Sequence, residues 1–243
     1  MLVKSWGYCA GRVLIGGNNL SEATGNAVSK ISPGLWLIAA LIAGFFSAAD
    51  AFADNHRPNC RVVKFGSHLA RPQQVYLLRG LFNVFSLGMD DLGRQLRDAG
   101  VAANVVAHTS WRRQAEKIRK TVEPKRNCPL VVIVGHSAGA RAASALAADL
   151  AKDRIPVDFF VAVGPTGKIS VPNNVRLAWN IHAPNSGPGL VAEPGFKGKI
   201  LEHNAVDMNA SPLVNHFTID KSRPIQKRLV EMISSLVRAK RRK

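Results

Sequence analysis

The sequence predicts an α/β protein: a mostly parallel β-sheet flanked by helices, built as a single domain after an amino-terminal leader. Three observations carry that expectation. Short apolar runs of strand length alternate along the chain with segments whose apolar residues recur at helical spacing. The runs are continuously apolar, as strands buried on both faces of a parallel sheet should be. Between one such run and a helical stretch stands Gly135-His136-Ser137-Ala138-Gly139, a serine flanked by glycines at a strand-to-helix turn.

The leader comes first. Ile31 to Ala49 carries no charge, with Lys30 ahead of it and the small-x-small Ala51-Phe52-Ala53 behind. This is the layout of a secretory signal peptide cleaved after Ala53, which places the mature protein in the periplasm or outside the cell. The uncharged stretch also approaches the roughly 20 residues that span a bilayer, so a membrane anchor over residues 31–49 is the alternative. The chain then divides into a leader (1–53), an extension (54–73) and a domain (74–243). Cys9 falls in the leader. Cys60 and Cys128 each precede a predicted strand, and either pair in an oxidising compartment or stand as two buried thiols.

In the domain, Val75-Tyr76-Leu77-Leu78 reads as the first strand. Met89, Leu92, Leu96 and Ala99 follow at helical spacing and Gly100 stops them. Val101 to Ala107 is a second strand; Trp111, Ala115, Ile118 and Val122 give a helix ended by Pro124. Pro129 to Val134 leads into the glycine-flanked serine, and an alanine-rich helix runs from Ala140 to Lys152. Three further strands are expected at Val157–Val163, Val175–Ile181 and Lys199–Val206, with an irregular insert, Ala183 to Gly198, before the last of them. A closing helix starts near Pro224, a favoured first helical residue, and sets Ile225, Leu229, Met232, Ile233, Leu236 and Val237 on one face.

The formal charge of +17 favours contact with anionic surfaces, a membrane or envelope polymer among them. The basic residues are scattered apart from Arg112-Arg113 and the tail from Arg238 to Lys243, and no nucleic-acid motif is present. No two histidines show ligand spacing with a cysteine or carboxylate, so no metal site is expected, and nothing implies a cofactor.

The pattern G-x-S-x-G at the end of an apolar run is that of a nucleophile elbow, in which a strained turn exposes a serine hydroxyl at the carboxyl end of a sheet. Bulky side chains two positions either side would clash where strand and helix meet. A serine hydroxyl needs a base to take its proton. Of the seven histidines, His182, His203 and His216 follow the serine at useful distance. His216 lies in a loop between the last strand and the closing helix and is the expected base. His203 falls inside a strand, His182 follows one, and His136 beside the serine is expected to pack rather than act. The developing oxyanion needs two backbone N–H groups. Ala138 offers one by position; Leu81 or Phe82, in the loop after the first strand, offers the other.

Through Val75–Leu81, the elbow and His216-Phe217-Thr218-Ile219-Asp220, the chain resembles the α/β-hydrolases of the small, capless lipase, esterase and thioesterase kind, and within that group is similar to exported bacterial proteins. The resemblance covers residues 74–237. It implies an acyl-enzyme on Ser137 and a small-molecule or lipid ester as substrate. It also implies an acid between serine and histidine in chain order. Related hydrolases often carry that acid after the strand following the elbow helix, where this chain reads Val163-Gly164-Pro165. Asp207 is the nearest acid in the right order and is taken as the third catalytic residue; Glu193 lies in the insert, and Asp158 opens a strand at the wrong end of the sheet. Two other readings stay open: a non-catalytic binding protein on the same fold, and an envelope protein adhering through its cationic tail.

Overall fold

Residues 60–66, 69–81, 86–184 and 189–238 are described by the computed structural model. The leader with its cleavage site, the apolar segment 31–49, Cys9, Phe82, residues 185–188 of the insert and residues 239–243 of the tail lie outside the described residues. No helix among those described is long and apolar enough to cross a membrane.

The elements run β1 (Gln73–Arg79), α1 (Leu87–Asp98), β2 (Ala103–Ala107), α2 (Trp111–Lys120), β3 (Leu130–His136), α3 (Ala138–Lys152), β4 (Val157–Val163), β5 (Ile169–Val171), β6 (Val175–His182), β7 (Leu190–Ala192), β8 (Lys199–Asn204) and α4 (Arg223–Val237). Six strands form one parallel sheet in the order β2-β1-β3-β4-β6-β8. The protein is thus of the α/β class. Every residue of the central strands β3 and β4 is buried, which is why their sequences, Asp158 and His136 apart, are apolar throughout instead of alternating.

Alternate side chains of β1 enter opposite cores. Val75 and Leu77 pack with Met89, Leu92 and Leu96 of α1 and with Ile225, Leu229 and Ile233 of α4. Tyr76 and Leu78 pack on the other face with Ala115 and Ile118 of α2 and Ala143, Leu146 and Leu150 of α3. Chain direction along the sheet reverses at β1, whose neighbours are β2 on one side and β3 on the other. The loops leaving β1 and β3 therefore diverge at the carboxyl end of the sheet and leave a crevice, the usual ligand position in such sheets.

The insert departs from expectation. Part of it is β7, which pairs in parallel with β5 as a separate two-stranded sheet. Three-residue strands are too short to show a period. The anchor of β7 is tertiary: Glu202 of β8 accepts its Leu190 N–H at 3.2 Å and the Asn180 amide of β6 at 2.7 Å.

Two devices hold the opposite end. Cys60 and Cys128 are joined in a disulfide, and Arg61 bridges to Asn127 beside it. Buried Asp158 accepts hydrogen bonds from Arg71 at 2.7 and 3.0 Å, from Arg176 at 3.2 Å and from the Val131 N–H at 3.1 Å. Arg71 also donates to the carbonyls of Cys128 and Pro129. A carboxylate buried this deeply persists only because each oxygen is met by a donor.

Candidate active site

The turn after β3 explains the glycines around the serine. Ser137 has φ 56° and ψ −122°, a conformation in which a side chain is strained. A Cβ on Gly135 would lie 2.2 Å from the Gly139 carbonyl oxygen, and one on Gly139 would lie 2.2 Å from that of Leu78. Backbone occupies both places, so neither position admits a side chain. The helix begins at Ala138, earlier than the Ala140 that periodicity suggests, because the turn takes a single residue.

Ser137 Oγ lies 2.8 Å from His216 Nε2. His216 is carried by a tight turn between β8 and α4. The Asn215 carbonyl accepts from the N–H groups of Thr218 (3.1 Å) and Ile219 (2.9 Å), and the Asn215 side chain accepts from Phe217 at 2.9 Å. Asp220 ties this turn to α1: its Oδ2 accepts the Gly88 N–H at 3.0 Å, and Gln226 donates to the carbonyls of Asp220 and Gly88 at 2.8 and 3.0 Å. Burial pushes the Asp220 carboxyl up to about 6.

The loop after β1 lies against the serine. A Cβ on Gly80 would fall 3.1 Å from Ser137 Cβ. Both ends of Gly80 are held: its N–H donates to Ser86 Oγ at 2.8 Å, and its carbonyl accepts from His108 Nδ1 at 3.2 Å. The Gly80 carbonyl and the Leu81 N–H belong to one planar peptide unit, so His108 also sets where the Leu81 N–H points. Ala138 opens α3, whose first-turn N–H groups have no carbonyl partner within the helix. The two N–H groups thus belong to the two loops that diverge at the crevice.

His136 is not merely packed. Its Nε2 lies 3.0 Å from the His216 carbonyl oxygen and its Nδ1 2.7 Å from Ser86 Oγ, while the two imidazoles stack at 5.5 Å. Burial, then the neighbouring His216 and Lys221 charges, pull His136 down to about 4 against the opposing effect of its bond to the His216 carbonyl. It is therefore neutral at pH 7.

The remaining candidates lie apart. Asp207 is exposed in the short turn Val206–Met208, and among the described residues no carboxylate hydrogen-bonds His216 Nδ1. Gly164 faces that nitrogen, a Cβ there falling 3.6 Å from Nδ1. His203 accepts the Trp179 indole N–H at 2.9 Å, and Glu193 accepts from Ser170. Arg79 is forked onto Asp90. A groove of about 1230 Å³ beside α1 and α4 is lined by Asp207, His203 and Trp179 but by neither Ser137 nor His216. Its size marks a gap beside the outer strands, not the serine. Among the described residues no cluster of three or more His, Cys, Asp or Glu could hold a metal ion.

Fold and site together define an α/β protein with a serine–histidine pair at the carboxyl end of its sheet. Comparison with protein-family models, with curated proteins and with solved structures gives no significant match.

Proposed function

We propose that the protein is an exported serine hydrolase of the α/β-hydrolase kind, cleaving an ester or thioester through an acyl-enzyme on Ser137. The observation carrying this reading is the 2.8 Å contact between Ser137 Oγ and His216 Nε2 at the tip of a strained turn. Strain at such a position costs stability and is kept where function uses it.

Ser137 Oγ attacks the carbonyl carbon while its proton passes to His216 Nε2. The oxyanion gathers charge between the N–H groups of Ala138 and Leu81. Collapse expels the alcohol or thiol, which takes the proton from His216. Water, its proton drawn to the same nitrogen, then releases the acid and restores the serine. Asp207 is the acid that chain order selects. In the conformation described it makes no contact with His216, so the mechanism runs on the dyad, and Asp207→Asn is expected to leave turnover unchanged. Without a carboxylate on Nδ1 the imidazolium is less stabilised; in a well-studied triad that loss slows turnover by about 10⁴. A slow enzyme is expected. The Cys60–Cys128 disulfide supports an oxidising destination.

The lack of a carboxylate on His216 Nδ1 among the described residues favours a second reading, a non-catalytic binding protein. Hydrolysis of nitrophenyl esters of graded acyl length separates the two. The hydrolase reading predicts turnover abolished by Ser137→Ala and by His216→Ala. Turnover surviving both variants would overturn it, and saturable ligand binding without turnover by folded protein would favour the second.

A further inference from the structure

We infer that Ser86 and His136 form a buried relay that clamps the His216 turn to the loop after β1, making His136 the positioning residue for the base. The inference rests on the hydrolase reading for its consequence in rate, though not for its geometry.

Asp220 Oδ2 lies 4.0 Å from His136 Nδ1, beyond hydrogen-bond reach, and with the ring neutral the donor and acceptor roles leave one arrangement. The Gly80 N–H can only donate, so Ser86 Oγ accepts it and its own hydrogen is free for His136 Nδ1. Nδ1 then accepts, and the ring proton sits on Nε2. The His216 carbonyl can only accept, and Nε2–H donates to it at 3.0 Å. A chain running Gly80, Ser86, His136, His216 therefore has a single direction, and it holds only with His136 neutral. Ser86 and His136 are each 1% exposed. In so buried a place a mismatched donor or acceptor is costly, so the tautomer is held firmly.

The relay reaches His216 twice: through its carbonyl, and through the stacked rings. Fixing the carbonyl sets the backbone from which the imidazole hangs, and the stack limits rotation of the ring. A triad carboxylate orients its histidine through Nδ1. Here Nδ1 is faced by Gly164 and no carboxylate among the described residues bonds it, and a Cβ at 164 would also strike Ile219 Cγ2 at 2.9 Å. Orientation thus comes from behind the residue, from the x position of the G-x-S-x-G motif itself. A phenylalanine would keep an aromatic ring against His216 but could not make the bond.

The test uses His136→Phe, His136→Gln and Ser86→Ala, read by three measurements: phosphonylation rate at Ser137 with a fluorophosphonate, steady-state ester kinetics, and ¹⁵N–¹H spectra of the His216 ring. Urea unfolding of each variant checks the fold. His136→Phe is expected to lower kcat by about 10- to 100-fold with KM unchanged, the scale of loss when a catalytic group is displaced by about 1 Å. Its His216 ring signals should shift. Gln retains an N–H donor and should recover most of the rate. Ser86→Ala should shift the same ring signals with a smaller loss of rate. Folded His136→Phe with wild-type kinetics and unmoved His216 signals would overturn the relay, as would His136→Gln as slow as His136→Phe. Should His136→Phe not fold, unmoved His216 signals in Ser86→Ala would overturn it. If wild-type protein takes no phosphonate, the hydrolase reading fails, and the ring spectra alone still decide whether the relay positions His216.

Discussion

Glycine at position 137 should make a more stable protein than alanine there, the reverse of the usual order. Ser137 sits at φ 56° and ψ −122°. Holding a residue with a Cβ in so sparsely populated a region costs about 1–3 kcal/mol, and Ser137→Ala keeps that cost while Ser137→Gly removes it. Glycine gives back about 0.5–1 kcal/mol through the greater freedom of its unfolded chain. Both variants lose the hydrogen bond to His216, so it cancels between them. The balance leaves Ser137→Gly about 1 kcal/mol more stable than Ser137→Ala. For a domain of this size that is about 2–4 °C in Tm. Urea unfolding of the two variants with a shared m-value measures the difference. Equal stability, or alanine the more stable, would show that the turn is not strained.

Opening the disulfide with Cys60→Ser and Cys128→Ser together should cost about 4 kcal/mol, since the bridge closes a loop with sequence separation 68; an unchanged urea midpoint for oxidised and reduced wild-type protein would contradict this. The pH response follows from His136 and Asp220, whose Nδ1 and Oδ2 lie 4.0 Å apart in the interior. His136, with its folded pKa lowered to about 4, contributes stability that is present above its unfolded value and lost as pH falls through that range, about 3 kcal/mol in all. Asp220, raised to about 6, acts oppositely: its contribution is present below the unfolded carboxylate value and lost as pH rises through 6, about 3 kcal/mol. In wild type the two nearly offset between pH 6.5 and 4, whereas Asp220→Asn should fall steeply over that window. Parallel stability profiles for wild type and Asp220→Asn would refute the assignment. His108→Phe, which frees the Gly80 carbonyl, should lower kcat more than it raises KM; a pure KM effect would mean the Leu81 N–H plays no part in the transition state.

Long elements were legible because burial writes itself into sequence. The continuous runs of β3 and β4 and the apolar faces of α1 and α4 announce what they pack against. β5 and β7 were not legible, being three residues each and paired with one another, with Glu202 of another strand accepting the Leu190 N–H of β7. At the site, the meeting of Ser137 with His216 follows from a motif and from loop position. Chain order could not say where Asp207 would point, since an acid nine residues from a histidine can face any direction once a turn intervenes. His136 and Ser86 left no pattern: one hydrogen-bonds a carbonyl, which every residue has, and the other is a serine at the start of α1 whose side chain does not cap that helix. Their roles exist only once β1, β3 and the turn before α4 are brought to the same end of the sheet.

The proposed chemistry requires that residue 137 be an activated nucleophile. Treating the protein with a fluorophosphonate, digesting it and locating the adduct by mass spectrometry answers that directly. The account predicts one adduct, on the Ser137 peptide, forming at a rate that drops by about 10²–10⁴ in His216→Ala. Folded protein that stays unmodified, or an adduct forming just as fast without the imidazole, would contradict it.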